Sequence, residues 1–335
     1  MRTYRLNADK KGIEQAAEIL KKGGIVAIPT ETVYGLAASA YDEDAVKRVF
    51  EAKGRPQDNP LIVHIADIAD LTTVAKDIPD SAFTAAKRFW PGPLTMIFKR
   101  TDKIPASVSA GLDTVAVRMP SDKTAREIIK NSLPLAAPSA NTSGKPSPTS
   151  AKYVIDDLDG KIDGVVISGD CEVGVESTVI TLVTNPPRLL RPGAVTLEEL
   201  KEIFPDIVVD SAVLAEPQKG EKVASPGMKY KHYAPKTETY LVEGDSERFV
   251  QFVNSKENAA AVCFQEEESD INIPKLCYGT SSDEATLAHS VFSVLRNADN
   301  LEVSAIYVHA PSKSGVGLAV YNRLIRAAAF RVIKL

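Results

Sequence analysis

The apolar positions of the chain change period several times, and each change marks an element. Ile13, Ala16, Ala17 and Leu20 recur at the spacing of one helix face and predict a helix over Gly12 to Lys22. The run GIVAIPT that follows holds no polar side chain before its threonine and reads as a buried strand. Val46, Val49 and Phe50 restore the helical spacing and predict a second helix over Asp42 to Lys53. Further strands are predicted over LIVHI (61–65), PLTMIFKR (93–100), TVAVRMP (114–120), LPLAAPSAN (133–141), GVVISG (164–169) and ESTVITLV (176–183). Within VAVRMP, Val115, Val117 and Met119 share one face and Arg118 takes the other. Helical and strand patterns in this alternation predict an α/β domain built on a mixed, twisted sheet with flanking helices.

The periodicity lapses over residues 210–236, where five lysines stand against two glutamates among Pro, Gly and Ser, and a linker is expected. After it the pattern restarts with TYLV, SERFVQFVN, AAAVCF, PKLCYG, DEATLAHSVFSVLRNA, AIYVHA and GVGLAVYNRLIRAAAF. Strands and helices alternating over about 100 residues predict a smaller, doubly wound Rossmann-like domain. The expected division is therefore 1–209, a linker at 210–236, and 237–335.

Composition narrows the class without naming a function. With 44% hydrophobic and 25% charged residues among 335, the chain is of globular type. The opening MRTYRLNADKKG has no apolar signal region, and no apolar run approaches the roughly 20 residues that span a bilayer, so a cytoplasmic protein is expected. Cys171, Cys263 and Cys277 form no C-x-x-C pair and are expected to be reduced thiols. The four histidines lie far apart, and no metal-ligand motif appears. The net charge of −4 gives no signature of polyanion binding. Residues 237–335 carry nine Lys/Arg against 13 Asp/Glu, which leaves 31 of each before them, so the acidity belongs to the C-terminal part.

Three stretches carry candidate chemistry. In KGRPQDNPLIVH (53–64), Lys53 at a helix end, Gly54 at the left-handed cap position and Pro56 as a stop fit a plain helix terminus. Capping leaves Arg55, Asn59 and His64 unexplained: donors suited to phosphate on the loop, and a titratable ring at the end of the next strand. PSANTSGKPSPTS (138–150) crowds Ser139, Asn141, Thr142, Ser143, Thr149 and Ser150 before a helix, which suits either phosphate oxygens or ordinary turn and N-cap bonding. Arg118 is either an exposed edge charge or a fork for a carboxylate. Two glycine-bearing segments fail as phosphate motifs. GDCEVGVEST (169–178) has Val175 and Glu176 where a Walker A loop needs Lys and Ser/Thr, and SGVGLAVYNRL (314–324) has Val320 where a dinucleotide loop needs its third glycine. Residue chemistry thus reaches an anion site made of Lys53, Arg55, Ser139 and Asn141, without a substrate.

The ordered set IPTETVYGLAASA (28–40), KGRP…NPLIVH, RFWPGPLT (88–95), VAVRMP, PLAAPSANTSGKPSPT and VESTV resembles the YrdC-like threonylcarbamoyl-AMP synthase family over residues 10–205. SPGMKYKHYAP and the later GVGLAVYNRLIRAAA resemble its long, two-domain branch. The resemblance implies an enzyme that joins L-threonine, bicarbonate or CO2, and ATP into threonylcarbamoyl-adenylate and pyrophosphate. Partner proteins would then transfer the threonylcarbamoyl group to the adenosine beside the anticodon of certain tRNAs, so that tRNA is met only indirectly. Lys53, Arg55, Ser139 and Asn141 fall on the family's catalytic, phosphate-facing positions, and Asn59, Thr149, Arg191 and Tyr230 on further ATP contacts. Thr32, His64, Arg118 and Ser177 fall on its L-threonine positions, with Arg118 for the carboxylate and His64 either a general base or a positioning group. Mg2+ is expected with ATP, although no ligand set for it is visible. The linker with Tyr230 is expected to fold over the site, so removing residues 237–335 alone should reduce activity modestly and removing residues 210–335 should nearly abolish it. Two other classes share these features: a carbamoyltransferase using carbamoyl phosphate on the same domain, and an RNA-binding module with a basic concavity.

Overall fold

The structure is a computed structural model and describes residues 2–215 and 233–335. Its first part runs β1 (Tyr4–Asn7), α1 (Lys10–Lys21), β2 (Val26–Ile28), β3 (Gly35–Ser39), α2 (Glu43–Lys53), β4 (Ile62–His64), α3 (Leu71–Val74), β5 (Ala75–Lys76), α4 (Asp80–Phe89), β6 (Leu94–Arg100), β7 (Thr114–Arg118), α5 (Lys123–Asn131), β8 (Leu135–Ala136), α6 (Ala151–Leu158), β9 (Gly164–Ile167), β10 (Thr178–Thr181), β11 (Arg188–Arg191), α7 (Leu197–Lys201) and β12 (Val208–Val209). The strands form one mixed sheet in the order β1-β9-β2-β3-β8-β4-β7-β6-β10-β11-β12, with β5 beside β6. Helix α1 begins at Lys10, before its first apolar residue, because the Asp9 carboxylate accepts from the Gly12 N–H and caps the first turn.

The centre of the sheet positions the functional groups. Strands β4 and β7 pair in parallel with His64 opposite Arg118 and Val63 opposite Val117. Strand alternation then sorts the side chains. Val63, Val115, Val117 and Met119 enter the large core with Phe50, Met96 and Phe98, while Ile62 and Ala116 face the opposite side with Ile97, Val179 and Leu190. His64 and Arg118 belong to that second face by the same period of two. The alternation predicted for VAVRMP is therefore the one observed.

The second part runs β13 (Glu238–Glu243), α8 (Ser246–Asn254), β14 (Ala259–Cys263), β15 (Lys275–Cys277), α9 (Glu284–Ala298), β16 (Ala305–His309), α10 (Gly317–Ala327) and β17 (Val332–Lys334). All five strands are parallel, in the order β15-β14-β16-β13-β17. Alternate strand residues point to two cores: Val242, Ala261 and Cys263 meet α8, whereas Leu241, Val262, Ile306 and Val308 meet α9 and α10. Helices thus cover both faces, as a doubly wound unit requires, although β16 lies between β14 and β13 and the order is not that of the dinucleotide folds. The core under α9 and α10 also contains Val33 and Val175 from the first part and Tyr233, so the two units share apolar packing. Among the described residues no helix is long and apolar enough to cross a membrane.

Candidate active site

Helix α2 aims the first cation. Asp42 caps its N-terminus, and Gly54, with φ +61°, takes the left-handed position that ends it. Lys53 does not cap its own helix. Its Nζ crosses to the loop after β8 and donates to Ser139 O at 2.5 Å, Asn141 O at 2.7 Å and Asn141 Oδ1 at 3.4 Å. Burial, and then the charge of Arg55, push the Lys53 pKa well below its ordinary value. The three oxygens oppose that shift by favouring the ammonium. Ser139 Oγ donates to Asn141 Oδ1 at 2.6 Å, and Asn141 Nδ2 donates to Thr142 O and Lys145 O, both at 2.9 Å, so the loop is shaped around Lys53 and Asn141.

Arg55 leaves the helix end, donates from Nη2 to Asn59 O at 3.3 Å and lies over the Phe50 ring at 5.8 Å. Asn59 is 1% exposed, and among the described residues neither atom of its side-chain amide has a hydrogen-bond partner.

The parallel register of β4 and β7 delivers the second cluster. Arg118 is buried, donates from Nη1 to Thr32 Oγ1 at 2.9 Å and from Nε to Gly92 O at 3.3 Å, and its Nη2 stands 2.6 Å from Glu31 Oε1. A guanidinium has five N–H donors, so donors remain for a ligand carboxylate. His64 Nδ1 lies 3.1 Å from Ile62 O, which makes Nδ1 the donor and leaves the Nε2 lone pair free of that bond. Burial first, then the Arg118 charge, bring its pKa down from 6.5 to about 3. The ring is therefore neutral at physiological pH and a weak base.

The far wall comes from the segment entering β10 and from the end of β11. Ser177 Oγ is 2.7 Å from Thr95 Oγ1 and accepts from Arg191 Nη2 at 3.1 Å, while Arg191 Nε donates to Ser177 O at 3.0 Å. Glu176 Oε1 accepts from Ser147 Oγ at 2.6 Å and Oε2 accepts from Arg323 Nε at 2.7 Å. Burial alone would raise the Glu176 pKa, but Arg323, Arg191 and Ser147 outweigh it and hold the carboxyl at about 2.

These walls form one cleft, lined by nine of the expected residues: Thr32, Lys53, Arg55, His64, Arg118, Ser139, Asn141, Ser177 and Arg191. Asn59 and Thr149 are buried nearby but do not line it, Thr149 O accepting from Cys171 N at 2.8 Å. Tyr230 lies outside the described residues. Glu176, Lys145, Ser147 and Tyr233 line the cleft without having been singled out as site residues, and Glu31 braces Arg118 from behind it. The only sequence signal for Glu31 is its place between two threonines in PTETV. Glu176 stands in the VESTV motif, but its pairing is not legible there, because its partner Arg323 lies 147 residues away.

A polar cleft at the centre of a mixed sheet, with a second α/β unit packed against the domain that holds it, defines a two-domain protein of the Sua5–YciO–YrdC class. The model of that class, described as "Telomere recombination", matches residues 18–193, and the model "Threonylcarbamoyl-AMP synthase, C-terminal domain" matches residues 195–329. The chain belongs to the threonylcarbamoyl-AMP synthase family. It is 45% identical to the threonylcarbamoyl-AMP synthase of Pyrococcus abyssi, over 96% of this chain and 95% of the relative. It is 44% identical to that of Bacillus subtilis, over 99% and 97%. The crystal structure of P. abyssi Sua5 complexed with L-threonine covers all of both chains at 41% identity with a TM-score of 0.91. E. coli YciO, at 24% identity and a TM-score of 0.51, shares the fold over 58% of this chain and 96% of its own.

Proposed function

We propose that this cleft makes threonylcarbamoyl-adenylate and pyrophosphate from L-threonine, bicarbonate and ATP. The observation that carries the reading is the meeting, in one cleft, of a carboxylate-binding pair on β4 and β7 with a donor-rich loop after β8 that Lys53 holds in shape. Arg118 takes the threonine carboxylate through its remaining N–H donors. His64, Thr32 and Ser177 orient the amine and hydroxyl, with His64 accepting at Nε2 and acting as a positioning group. Bicarbonate takes up a proton and loses water to give CO2, and the neutral amine nitrogen bonds to the CO2 carbon as one C–O π bond opens to the carbamate oxygen and a proton leaves the nitrogen for solvent. An oxygen of the resulting carbamate then attacks the α-phosphorus. The bond from that phosphorus to the bridging oxygen breaks, and pyrophosphate leaves.

Arg55, Ser139, Asn141 and Arg191 stabilise the phosphate charge as it moves to the leaving group, a preorganised electrostatic role. Asn59 and Thr149 support the nucleotide from behind the lining residues. Lys53 acts on the phosphates through the carbonyls and amide it orders. Mg2+, if it accompanies the nucleotide, would neutralise phosphate charge; the one carboxylate among the described lining residues, Glu176, is engaged by Ser147 and Arg323. Residues 1–209 form the catalytic unit, joined through 210–236 to residues 237–335. The adenylate then passes to transfer proteins that modify tRNA.

The test is pyrophosphate release with each substrate omitted in turn. Release that needs ATP, L-threonine and bicarbonate together is expected. Turnover of carbamoyl phosphate without threonine, or a salt-sensitive RNA shift without turnover, would replace the reading with a carbamoyltransferase or an RNA-binding module.

A further inference from the structure

Helices α9 and α10 pack against the first part, and Arg296 and Arg323 reach from them to the segments that form the cleft walls. Arg296 on α9 donates from Nη2 to Pro146 O at 2.5 Å and to Asp157 Oδ2 at 3.0 Å, and lies over the Tyr153 ring at 4.9 Å. Asp157 in turn accepts from Thr142 N at 3.2 Å and Lys145 Nζ at 2.8 Å, so Arg296 anchors the wall that carries Ser139 and Asn141. Arg323 on α10 is fully buried. It donates from Nε to Glu176 Oε2, from Nη2 to Glu176 O at 3.2 Å and from Nη1 to Pro192 O at 2.9 Å, which anchors the opposite wall, with Ser177 and Arg191 at its two ends. Ser147 donates to the other Glu176 oxygen and ties the two walls together.

We propose that the second domain is a two-arginine clamp that sets the separation between the loop carrying Ser139 and Asn141 and the segments carrying Ser177 and Arg191, with Arg296 and Arg323 as positioning residues. The proposal rests on the reading of the cleft given above. On this proposal the loss on removing residues 237–335 alone is larger than the modest reduction expected from the sequence, because their removal takes a partner from each wall. The domain's own ligand crevice is filled, which turns its role outward. At the carboxyl ends of β13 and β16, where the crossovers diverge, His309 bonds to Glu267 Oε1 at 2.6 Å and Gly244 O at 3.0 Å between the rings of Phe249 and Phe264. The clamped segments bring Ser139, Asn141 and Arg191 to the phosphates and Ser177 to the amino acid, so joining a carbamate to an α-phosphate depends on their mutual placement, and a shift near 1 Å can cost about a hundredfold in rate.

The clamp is tested with Arg296→Met, which leaves Asp157 its Lys145 partner, and Arg323→Lys, which keeps the charge without the fork. Calorimetry with L-threonine counts binding-competent sites, and a single-turnover measurement gives pyrophosphate release per competent site. We expect full stoichiometry, threonine affinity within about threefold of wild type because Thr32, His64 and Arg118 lie outside the clamped loops, and a rate per competent site lower by about tenfold or more. An unchanged rate per site in both variants, or stoichiometry falling in step with rate, overturns the clamp and leaves the arginines a purely structural role. A wild-type protein without threonine-dependent release overturns the functional reading instead, and the clamp with it.

Discussion

Replacing Arg118 tests both the fold and the recognition of the amino acid, and the structure separates the two effects. Arg118→Met leaves Glu31 buried, with the Ser121 N–H at 3.1 Å on one oxygen and no cation on the other. Breaking a buried ion pair in this way costs about 3–5 kcal/mol. At about 2–4 °C per kcal/mol for a domain of this size, the melt should fall by roughly 6–20 °C. Arg118→Met/Glu31→Gln removes the stranded charge and should recover most of that loss. Neither variant can pair with the threonine carboxylate, a charge-assisted contact worth about 1.5–3 kcal/mol, or roughly a tenfold to hundredfold change in affinity. The assay is calorimetry with L-threonine beside a thermal melt of each variant. A double variant that melts near wild type but binds threonine ten to a hundred times more weakly is the expected result. Wild-type affinity in the double variant would refute the placement of the carboxylate at Arg118.

Lys53→Met should retain threonine binding while lowering adenylate formation by about tenfold or more, because Ser139 O and Asn141 O lose their shared donor and the loop relaxes; steady-state kinetics with varied ATP decides it. His64, held near pKa 3 by burial and Arg118, binds a proton more readily when unfolded. Its contribution to stability is thus complete above about pH 6.5 and is lost as pH falls toward 3. Proton NMR should show its ring neutral from pH 8 to 5, and titration near 6.5 would contradict the buried placement. Gly174→Ala should destabilise the contact between the domains by about 1–3 kcal/mol, since φ there is +83° and an added Cβ would collide with the His289 backbone; limited proteolysis of residues 237–335 would report it.

Much of the catalytic sheet was legible because strand alternation is local. VAVRMP shows on its face that Arg118 leaves the core, and the cap residues after Lys53 mark where α2 must stop. The same residues did not show where the Lys53 side chain goes, since a bond to Asn141 spans 88 positions. Helices α4 and α5 were not anticipated: short amphipathic segments, DSAFTAAKRF and KTAREIIKN, lie between stronger strand patterns. The closing strand β17 is three residues long, too brief for a period. GDCEVGVEST and SGVGLAVYNRL, set aside as failed phosphate motifs, supply Glu176 and Arg323. Their meaning lies in a pairing across the domain boundary, which spacing along either segment cannot encode.

The account stands most directly on the fate of the bicarbonate carbon. The protein should be incubated with ATP, L-threonine and bicarbonate carrying carbon-13, and the nucleotide product examined by mass spectrometry. The account predicts threonylcarbamoyl-adenylate bearing the label in its carbamoyl carbon, with one pyrophosphate per adenylate. An adenylate without the label, or pyrophosphate release that proceeds without threonine, would contradict it.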